Sequence, residues 1–204
     1  MSDLVKIAKT EISNSNKLCV IAGLNVLEDD QLTFEVAERL KKITEAQGNS
    51  FIFKASFDKA NRSSVDSYRG PGLEKGLEIF RELKKSDYQL ITDIHEISQV
   101  EQISEVVDII QIPAFLCRQT DLIKEACQSG KPLNIKKGQF LSPDQMKNIV
   151  EKCSNFGNDQ IMLCERGTSF GYDNLVVDML GMSKLKTFNC PIIFDVTHSL
   201  QLPG

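Results

Sequence analysis

The sequence predicts an α/β protein that folds as a (β/α)8 TIM barrel, and two observations support this prediction. Short apolar runs bounded by turn residues alternate with amphipathic stretches along the 204 residues. Near-continuous apolar runs are typical of parallel strands that are buried on both faces. Polar or charged residues follow nearly every run, and a barrel brings the carboxyl ends of all its strands to one mouth. In an open sheet the same residues would be spread along an edge.

Seven apolar runs are predicted as strands, at residues 18–22, 51–55, 89–92, 109–112, 133–135, 160–164 and 191–196. The polar residues at or just after their ends are Asn25, Lys54, Asp93, Gln111, Lys136, Arg166 and His198. Repeated βα units fit either an open doubly wound sheet or a (β/α)8 barrel. No glycine-rich dinucleotide-binding motif follows the first run, and this absence favours the barrel further.

The stretches between the runs have the periodicity of amphipathic helices. Ser142 predicts a helix start, because Pro143 suits a first helical turn and Gln145 is placed to complete a capping box. The apolar faces of the predicted helices are Leu32-Val36-Leu40-Ile43, Leu73-Leu77-Phe80-Leu83, Val100-Ile103-Val107 and Met146-Ile149-Val150-Cys153.

The composition argues against several classes of function. The formal net charge is −4, from 24 Lys and Arg against 28 Asp and Glu, so general nucleic-acid binding is not expected. The six cysteines form no Cys-x-x-Cys pair and no His cluster accompanies them, which indicates buried free thiols in a reducing compartment rather than a zinc site. Residues 1–10 contain no long apolar run, so neither a signal peptide nor a membrane span is predicted. We expect one cytoplasmic domain over residues 1–204.

The segment from residue 54 to residue 64 is rich in groups that bind anions. It contains two further cations after Lys54, together with Asn61, Ser63 and Ser64. Lysine acts as a point charge, arginine as a fork, and hydroxyl and amide groups complete the shell around a phosphate or carboxylate. By charge alone, a solvated basic turn explains the segment equally well.

The amino-acid sequences of several segments resemble those of the 3-deoxy-D-manno-octulosonate 8-phosphate synthase family. The segments occur in the family's order, and the resemblance extends from about residue 20 to the end of the chain. They are residues 53–63, 69–72, 109–122, 134–140, 164–167, 170–172 and 194–201. The resemblance implies condensation of phosphoenolpyruvate with D-arabinose 5-phosphate, in a homotetrameric enzyme that serves lipopolysaccharide biosynthesis.

The resemblance also implies roles for individual residues. Lys136 and Arg166, helped by Gln111 and Gln139, would bind the phosphate and carboxylate of phosphoenolpyruvate. Two substrate anions need several cations to offset their desolvation, which agrees with this assignment. His198 would be a polar group near the reacting carbons.

The arabinose 5-phosphate side is assigned in the same way. The resemblance implies that Asn61, Arg62 and Ser63 hold the sugar phosphate and that Lys59 lies at the junction of the two substrates. Either Lys59 or a water molecule would deliver a proton to the aldehyde oxygen. Asp93, with His95, would lie near the sugar, with no chemical step assigned to it.

One residue decides whether a metal is expected. Metal-dependent relatives have Cys after the first strand where this sequence has Asn25. A neutral carboxamide lacks the anionic sulfur that favours a soft or borderline metal. The resemblance is therefore to the metal-independent branch, and we expect no metal or other cofactor, with Asn25 hydrogen-bonded to substrate or to the reacting water.

The chain ends just past the seventh predicted strand, whereas family members continue with a loop, an eighth strand and a helix. We therefore expect the eighth βα unit to be missing from this chain.

Two alternatives stay open: a sister synthase that uses erythrose 4-phosphate or N-acetylmannosamine, and a non-catalytic binding protein of the same descent. The segment 59–63 favours the arabinose 5-phosphate branch.

Overall fold

The computed structural model describes residues 3–201. Within that range the chain divides into a central unit, Asn16–Ile110, and a terminal unit made of the described parts of Met1–Ser15 and Gln111–Gly204. The strands are β1 (Leu4–Ile7), β2 (Thr10–Ser13), β3 (Cys19–Gly23), β4 (Ser50–Lys54), β5 (Leu90–Asp93), β6 (Ile109–Ile112), β7 (Leu133–Lys136), β8 (Ile161–Glu165), β9 (Thr168–Phe170), β10 (Asn174–Val176) and β11 (Ile192–Phe194). The helices are α1 (Asp30–Ala46), α2 (Leu73–Lys85), α3 (Val100–Val106), α4 (Thr120–Gln128), α5 (Met146–Asn155) and α6 (Met179–Lys186).

The seven predicted strands are confirmed as β3 to β8 and β11, and they form one sheet in the order β3-β4-β5-β6-β7-β8-β11. The pairings of β3 with β4, β4 with β5, β7 with β8 and β8 with β11 are parallel. A doubly wound sheet reverses its strand order at a switch point, whereas consecutive βα units of a barrel keep the order of the chain. The observed order therefore confirms the partial (β/α)8 fold. The expectation about the end of the barrel also concerns residues 202–204, which lie outside the described residues.

Helix α1 shows where the predicted apolar face was wrong. The side chain of Asp29 accepts a hydrogen bond from the backbone N–H of Leu32, as expected for an N-cap. The buried residues of the helix, however, are Thr33, Ala37 and Thr44, while Ile43 is 54% exposed. Thr33 is tolerated in a buried position because its hydroxyl donates to the Asp29 carbonyl oxygen at 2.7 Å.

The other predicted helices in the central unit fit their patterns. Helix α2 buries Leu77, Phe80 and Leu83, and α3 buries Val100 and Ile103. The core of the same unit also contains the buried side chains of β4, which are Phe51, Ile52 and Phe53. The sheet in this unit is consequently covered by apolar helix faces, as buried parallel strands require.

In the terminal unit, the capping box at Ser142 is confirmed. The Ser142 hydroxyl accepts from the backbone N–H of Gln145, and the Gln145 side chain accepts from the backbone N–H of Ser142 at 2.8 Å. A short 3-10 turn, Pro143–Gln145, precedes α5, which buries its predicted stripe of Met146, Ile149, Val150 and Cys153.

Two antiparallel hairpins in the terminal unit were not predicted. The first pairs β1 with β2, and the second pairs β9 with β10. The first is fastened by Asn14, whose side-chain amide donates to the Cys190 carbonyl and accepts from the Ile192 backbone N–H, both at 2.9 Å. The amide thereby ties the hairpin to the start of β11.

The six cysteines are free thiols, and all except the partly exposed Cys19 are buried. The prediction of free thiols is confirmed, whereas that of a fully buried Cys19 is wrong. In the described part of the chain, every helix is too short or too polar to cross a bilayer.

Candidate active site

The central unit contains a buried polar cluster at the end of β5. Asp93, the last residue of that strand, accepts a hydrogen bond from the Ser56 hydroxyl, and Lys59 Nζ donates to the same hydroxyl at 2.8 Å. Lys59 Nζ lies 3.9 Å from Asp93 Oδ2, and His95 Nε2 lies 3.3 Å from that oxygen. Asp93 therefore links a lysine, a serine and a histidine.

Electrostatics keep Asp93 ionised. Burial alone raises the pKa of this carboxyl, but the charge of Lys54, the hydrogen bond to His95 and the charge of Lys59 together hold its pKa well below the usual range. The other ring nitrogen of His95, Nδ1, is buried and has no hydrogen-bond partner within residues 3–201. The cluster thus combines a fixed carboxylate with a histidine nitrogen that is available to a ligand.

The predicted anion-binding segment contributes Ser56 and Lys59 to this cluster. An ion pair between Asp58 and Arg69 closes a loop over residues 58–69, with Arg69 Nε 2.8 Å from Asp58 Oδ1. The backbone N–H of Lys59 donates to the Arg69 carbonyl oxygen across the same point. The three predicted ligands of the sugar phosphate, Asn61, Arg62 and Ser63, are exposed between these ends.

Arg62 is partly anchored, because its Nε donates to the Tyr68 carbonyl oxygen at 3.2 Å. The Tyr68 hydroxyl in turn donates to the Leu27 carbonyl oxygen at 3.0 Å. The loop is therefore held near residue 68 by the segment that follows β3.

Asn25 lies in that segment and is exposed. The path of the backbone towards Asn25 requires glycine at position 23, since a Cβ at this position would lie 2.0 Å from the Lys54 carbonyl oxygen. Gly23 and Lys54 are paired in the parallel register of β3 and β4. The close contact fixes where the chain leaves β3, two residues before Asn25.

The terminal unit contains a second cluster, at the ends of β7 and β11. Lys136, the last residue of β7, is buried and forms an ion pair with Oδ2 of the partly buried Asp195. His198 Nδ1 lies 2.8 Å from the same oxygen, and the His198 backbone N–H donates to Asp195 Oδ1 at 2.9 Å. Burial raises the pKa of Asp195, but the His198 hydrogen bond and the Lys136 charge outweigh this and hold that pKa well below its ordinary value.

Arg166, directly after β8, is 3% exposed. Its Nη2 donates to Gln201 Oε1 at 2.8 Å, while its Nε and Nη1 have no protein partner in the described range. Burial lowers the pKa of this guanidinium, and Asp195 opposes the change. A buried, unsatisfied donor costs about 1–3 kcal/mol, and more when charged, so these two N–H groups indicate an anionic ligand.

Two predicted glutamines also lie in the terminal unit. Gln111, within β6 rather than after it, accepts from the Asn134 side-chain amide at 3.3 Å. The side-chain oxygens of Asn134 and Gln139 are buried without a partner among residues 3–201. Sequence reasoning named Gln111 and Gln139 but missed Asn134.

The structure therefore groups the predicted site residues by unit. The central unit holds Asn25, Lys54, Lys59, Asn61, Arg62, Ser63 and Asp93, and the terminal unit holds Gln111, Lys136, Gln139, Arg166 and His198. Sequence reasoning missed Ser56 and Asp195 as members of these clusters. For Asp195 a signal was present, because His198 follows it at the i+3 spacing of a side chain that caps a turn.

The described residues contain no group of three or more His, Cys, Asp or Glu side chains that is arranged to hold a metal ion. The expectation that no metal is required rests on the chemistry of Asn25 and stays a prediction.

Comparison with known proteins gives consistent matches over nearly the whole chain. The DAHP synthetase I family matches residues 4–204. A 2-dehydro-3-deoxyphosphooctonate aldolase of Hahella chejuensis is 56% identical over 201 residues, which cover 98% of this chain and 72% of that protein. The protein of the same name from Pseudomonas syringae is 54% identical over 202 residues, with the same coverage. That from Pasteurella multocida is 56% identical over 201 residues, covering 97% of this chain and 71% of the relative.

Proposed function

Because this chain belongs to the DAHP synthetase I family, we propose that it condenses phosphoenolpyruvate with D-arabinose 5-phosphate and water. The products are 3-deoxy-D-manno-octulosonate 8-phosphate and inorganic phosphate. The relatives' name, 2-dehydro-3-deoxyphosphooctonate aldolase, describes an aldol-type reaction at the same eight-carbon phosphorylated sugar acid. The enzyme is thus a transferase of the aldolase type.

One observation carries the proposal: Arg166 is buried with two guanidinium N–H donors that no protein group accepts within residues 3–201. Phosphoenolpyruvate brings a carboxylate and a phosphate, whose oxygens accept charge-assisted hydrogen bonds from a guanidinium. Lys136 adds a second buried cation in the same unit. Gln111 and Gln139 supply amide groups that suit the remaining oxygens of the anion.

The chemistry that we propose forms one C–C bond and replaces the C2–O bond to phosphate by a C2–O bond to the oxygen of water. The enol π electrons of phosphoenolpyruvate attack the aldehyde carbon of open-chain arabinose 5-phosphate from C3, and the aldehyde oxygen takes a proton. Water adds to C2, which has become electron-poor, and loses a proton. The tetrahedral intermediate then expels inorganic phosphate by cleavage of its C2–O bond. The protein contributes mainly by orienting two anions and by stabilising developing charge.

We assign Lys59 as the donor of the proton to the aldehyde oxygen. Its hydrogen bond to Ser56 and its ion pair with Asp93 fix the position of Nζ, and an ammonium group can donate a proton. The buried Nδ1 of His95 is a suitable partner for a hydroxyl group of the sugar.

We assign His198 to the reacting carbons. Since Nδ1 of His198 is engaged by Asp195, Nε2 is the ring nitrogen that contacts substrate or the attacking water. The exposed Asn61-Arg62-Ser63 segment binds the phosphate of the sugar, which supports a sugar phosphate over N-acetylmannosamine. The family resemblance of residues 59–63 supports arabinose 5-phosphate over erythrose 4-phosphate. Asn25 supports a reaction without a metal, because its neutral amide offers hydrogen bonds rather than an anionic ligand.

We further propose three properties that the resemblance implies: a role in lipopolysaccharide biosynthesis, a cytoplasmic location and assembly as a homotetramer.

The direct test is to incubate the purified chain with phosphoenolpyruvate and arabinose 5-phosphate, and to follow the eight-carbon product by mass together with released phosphate. Erythrose 4-phosphate and N-acetylmannosamine replace the sugar in parallel reactions. Product from arabinose 5-phosphate alone supports the proposal, whereas product from another sugar identifies a sister synthase. A folded chain that binds phosphoenolpyruvate calorimetrically and yields no product identifies a binding protein without turnover.

A further inference from the structure

A second lysine, directly after Lys136, is one of the most deeply buried charged side chains of the terminal unit. The side chain of Lys137 is 1% exposed and that of Glu165, its partner, is 3% exposed. Burial lowers the pKa of Lys137, and the Glu165 charge opposes this. The reaction described above uses neither side chain.

Lys137 Nζ lies among oxygen atoms from three segments. It lies 3.5 Å from Glu165 Oε1, 2.9 Å from Thr168 Oγ1 and 3.3 Å from the Leu141 carbonyl oxygen, with the Gly167 carbonyl oxygen at 3.4 Å. These atoms belong to the end of β8 and the turn after it, the start of β9, and the loop after β7 that carries Gln139. The donors of Lys137 are thus directed to protein acceptors rather than to a ligand.

Glu165 holds the backbone on both sides of Arg166. Its Oε1 accepts from the backbone N–H of Arg166 at 2.9 Å and from that of Gly167 at 2.7 Å. Gly167 has φ of 93°, a left-handed conformation that glycine adopts without strain. The carbonyl oxygen of Glu165 also accepts from the backbone N–H of Asp195 at 2.9 Å. One residue therefore orients the backbone of Arg166 and that of Asp195, the partner of Lys136.

Stability does not account for this pair. Burying two charges is costly, and replacement of such a pair by apolar residues of similar volume is often neutral or stabilising. By contrast, the hydrogen bonds that Glu165 accepts from two consecutive backbone N–H groups fix a turn that apolar residues could not fix.

We propose that Lys137 and Glu165 are positioning residues for phosphoenolpyruvate: Lys137 joins the β7 loop, the β8 turn and β9, and Glu165 fixes the backbone that directs Arg166. This inference rests on the proposed function. It assigns the pair no contact with substrate, so its removal weakens the binding of one substrate through the geometry of Arg166 and Gln139.

The test compares Lys137→Met with Lys147→Met. Lys147 forms an ion pair with Glu151 at the same N···O distance, 3.5 Å, but the two side chains are 62% and 57% exposed. The measurements are KM for each substrate and calorimetric binding of phosphoenolpyruvate. We expect Lys137→Met to raise KM and Kd for phosphoenolpyruvate by about 10- to 100-fold, the effect of a misplaced group, with KM for arabinose 5-phosphate nearly unchanged. Lys147→Met should leave both substrates unaffected.

The double variant Lys137→Met/Glu165→Leu guards against a failure to fold, because it leaves no unpaired buried charge. Thermal unfolding reports its stability independently of ligand. A folded double variant that binds phosphoenolpyruvate as tightly as the parent overturns the inference, as does an equal loss for both substrates. Thr168→Val, which removes one acceptor of Lys137 at nearly constant volume, should weaken phosphoenolpyruvate binding in the same direction but less.

The failure of this inference is distinguishable from that of the proposed function. A parent chain that binds phosphoenolpyruvate without turnover contradicts the reaction alone, and the calorimetric comparison of the variants still decides the role of Lys137. A folded parent that does not bind phosphoenolpyruvate contradicts both.

Discussion

Lys136 and His198 share one acceptor, because Lys136 Nζ and His198 Nδ1 both contact Oδ2 of Asp195. This arrangement connects the end of β7 to the turn after β11 through a single carboxylate oxygen. Removing Asp195 therefore leaves both Lys136 and His198 without this acceptor. In the proposed reaction, Asp195 contacts both Lys136, which binds phosphoenolpyruvate, and His198, which is assigned to the reacting carbons.

The first prediction concerns the pH dependence of stability. The pKa of Asp195 is held below its ordinary value of 3.8, so the unfolded chain binds more protons than the folded one under acidic conditions. Its contribution to stability is fully present above that value and is lost as the pH falls below it. We expect Asp195→Asn to lower the free energy of unfolding near pH 7 by about 3–5 kcal/mol, since Lys136 is left buried and unpaired. The deficit should shrink below pH 4 or so.

Urea unfolding at a series of pH values measures this difference. Asp66→Asn is the matched control, because Asp66 is an exposed carboxylate. A deficit in Asp195→Asn that stays constant down to acidic pH would contradict the role of the ion pair.

The second prediction concerns the guanidinium of Arg166. Arg166→Lys retains a positive charge but removes the planar arrangement of donors, including the two without protein partners in the described chain. Hydrogen bonds to charged groups contribute about 1.5–3 kcal/mol each, so we expect KM for phosphoenolpyruvate to rise by about 10- to 100-fold. Arg81→Lys, at an exposed position of α2, is the control. Steady-state kinetics with each substrate varied in turn provide the measurement, and an unchanged KM would refute the assignment.

The third prediction separates the two substrates. Arg62 lies in the exposed loop of the central unit and is assigned to the sugar phosphate. We expect Arg62→Ala to raise KM for arabinose 5-phosphate about 10-fold or more, the loss of one charge-assisted contact, with KM for phosphoenolpyruvate nearly constant. Arg62→Lys should recover part of the loss because it restores the charge. Equal effects on both substrates would instead indicate collapse of the loop.

The sequence predicted the parallel strands well because each is a short apolar run bounded by turn residues. Strands β5 to β8 are buried throughout, whereas β3 and β11 contain only partly buried or exposed residues. The sequence did not predict the β1–β2 hairpin. The reversal between these strands uses Ala8 at a φ of 36°, and alanine gives no turn signal of the kind that glycine or asparagine gives. Helix α1 shows a different failure: its buried face follows Thr33 and Ala37, because tertiary packing overrode the apolar pattern.

The site was predictable where a polar residue ends a buried strand, as Lys54, Asp93 and Lys136 do. Asp195 was overlooked because its role depends on Lys136, which lies 59 positions earlier in the chain. Ser56 was overlooked for a similar reason, since a small buried hydroxyl has no pattern of its own. Pairings of this kind arise from the sheet and are not encoded in local sequence.

The fourth prediction tests the N-terminal cap of α5. Ser142→Ala removes the side-chain acceptor of the Gln145 backbone N–H and should lower the free energy of unfolding by about 1 kcal/mol, whereas Ser142→Gly should cost only a few tenths. Denaturant titration of both variants, with comparison of midpoints at constant slope, measures the difference. Equal losses for Ala and Gly would show that the hydroxyl does not act as a cap.

The fifth prediction concerns the absence of a metal requirement. Asn25 presents a neutral amide at the position where metal-dependent relatives have a thiolate, and an amide holds a soft or borderline metal poorly. We expect the rate of product formation to be unchanged after prolonged incubation with a strong chelator and gel filtration. Asn25→Ala should lower kcat while the reaction remains insensitive to chelator, because the amide acts through hydrogen bonds to substrate or water. Loss of activity on chelation, restored by a divalent metal, would show instead that ligands other than a cysteine at this position hold a catalytic ion.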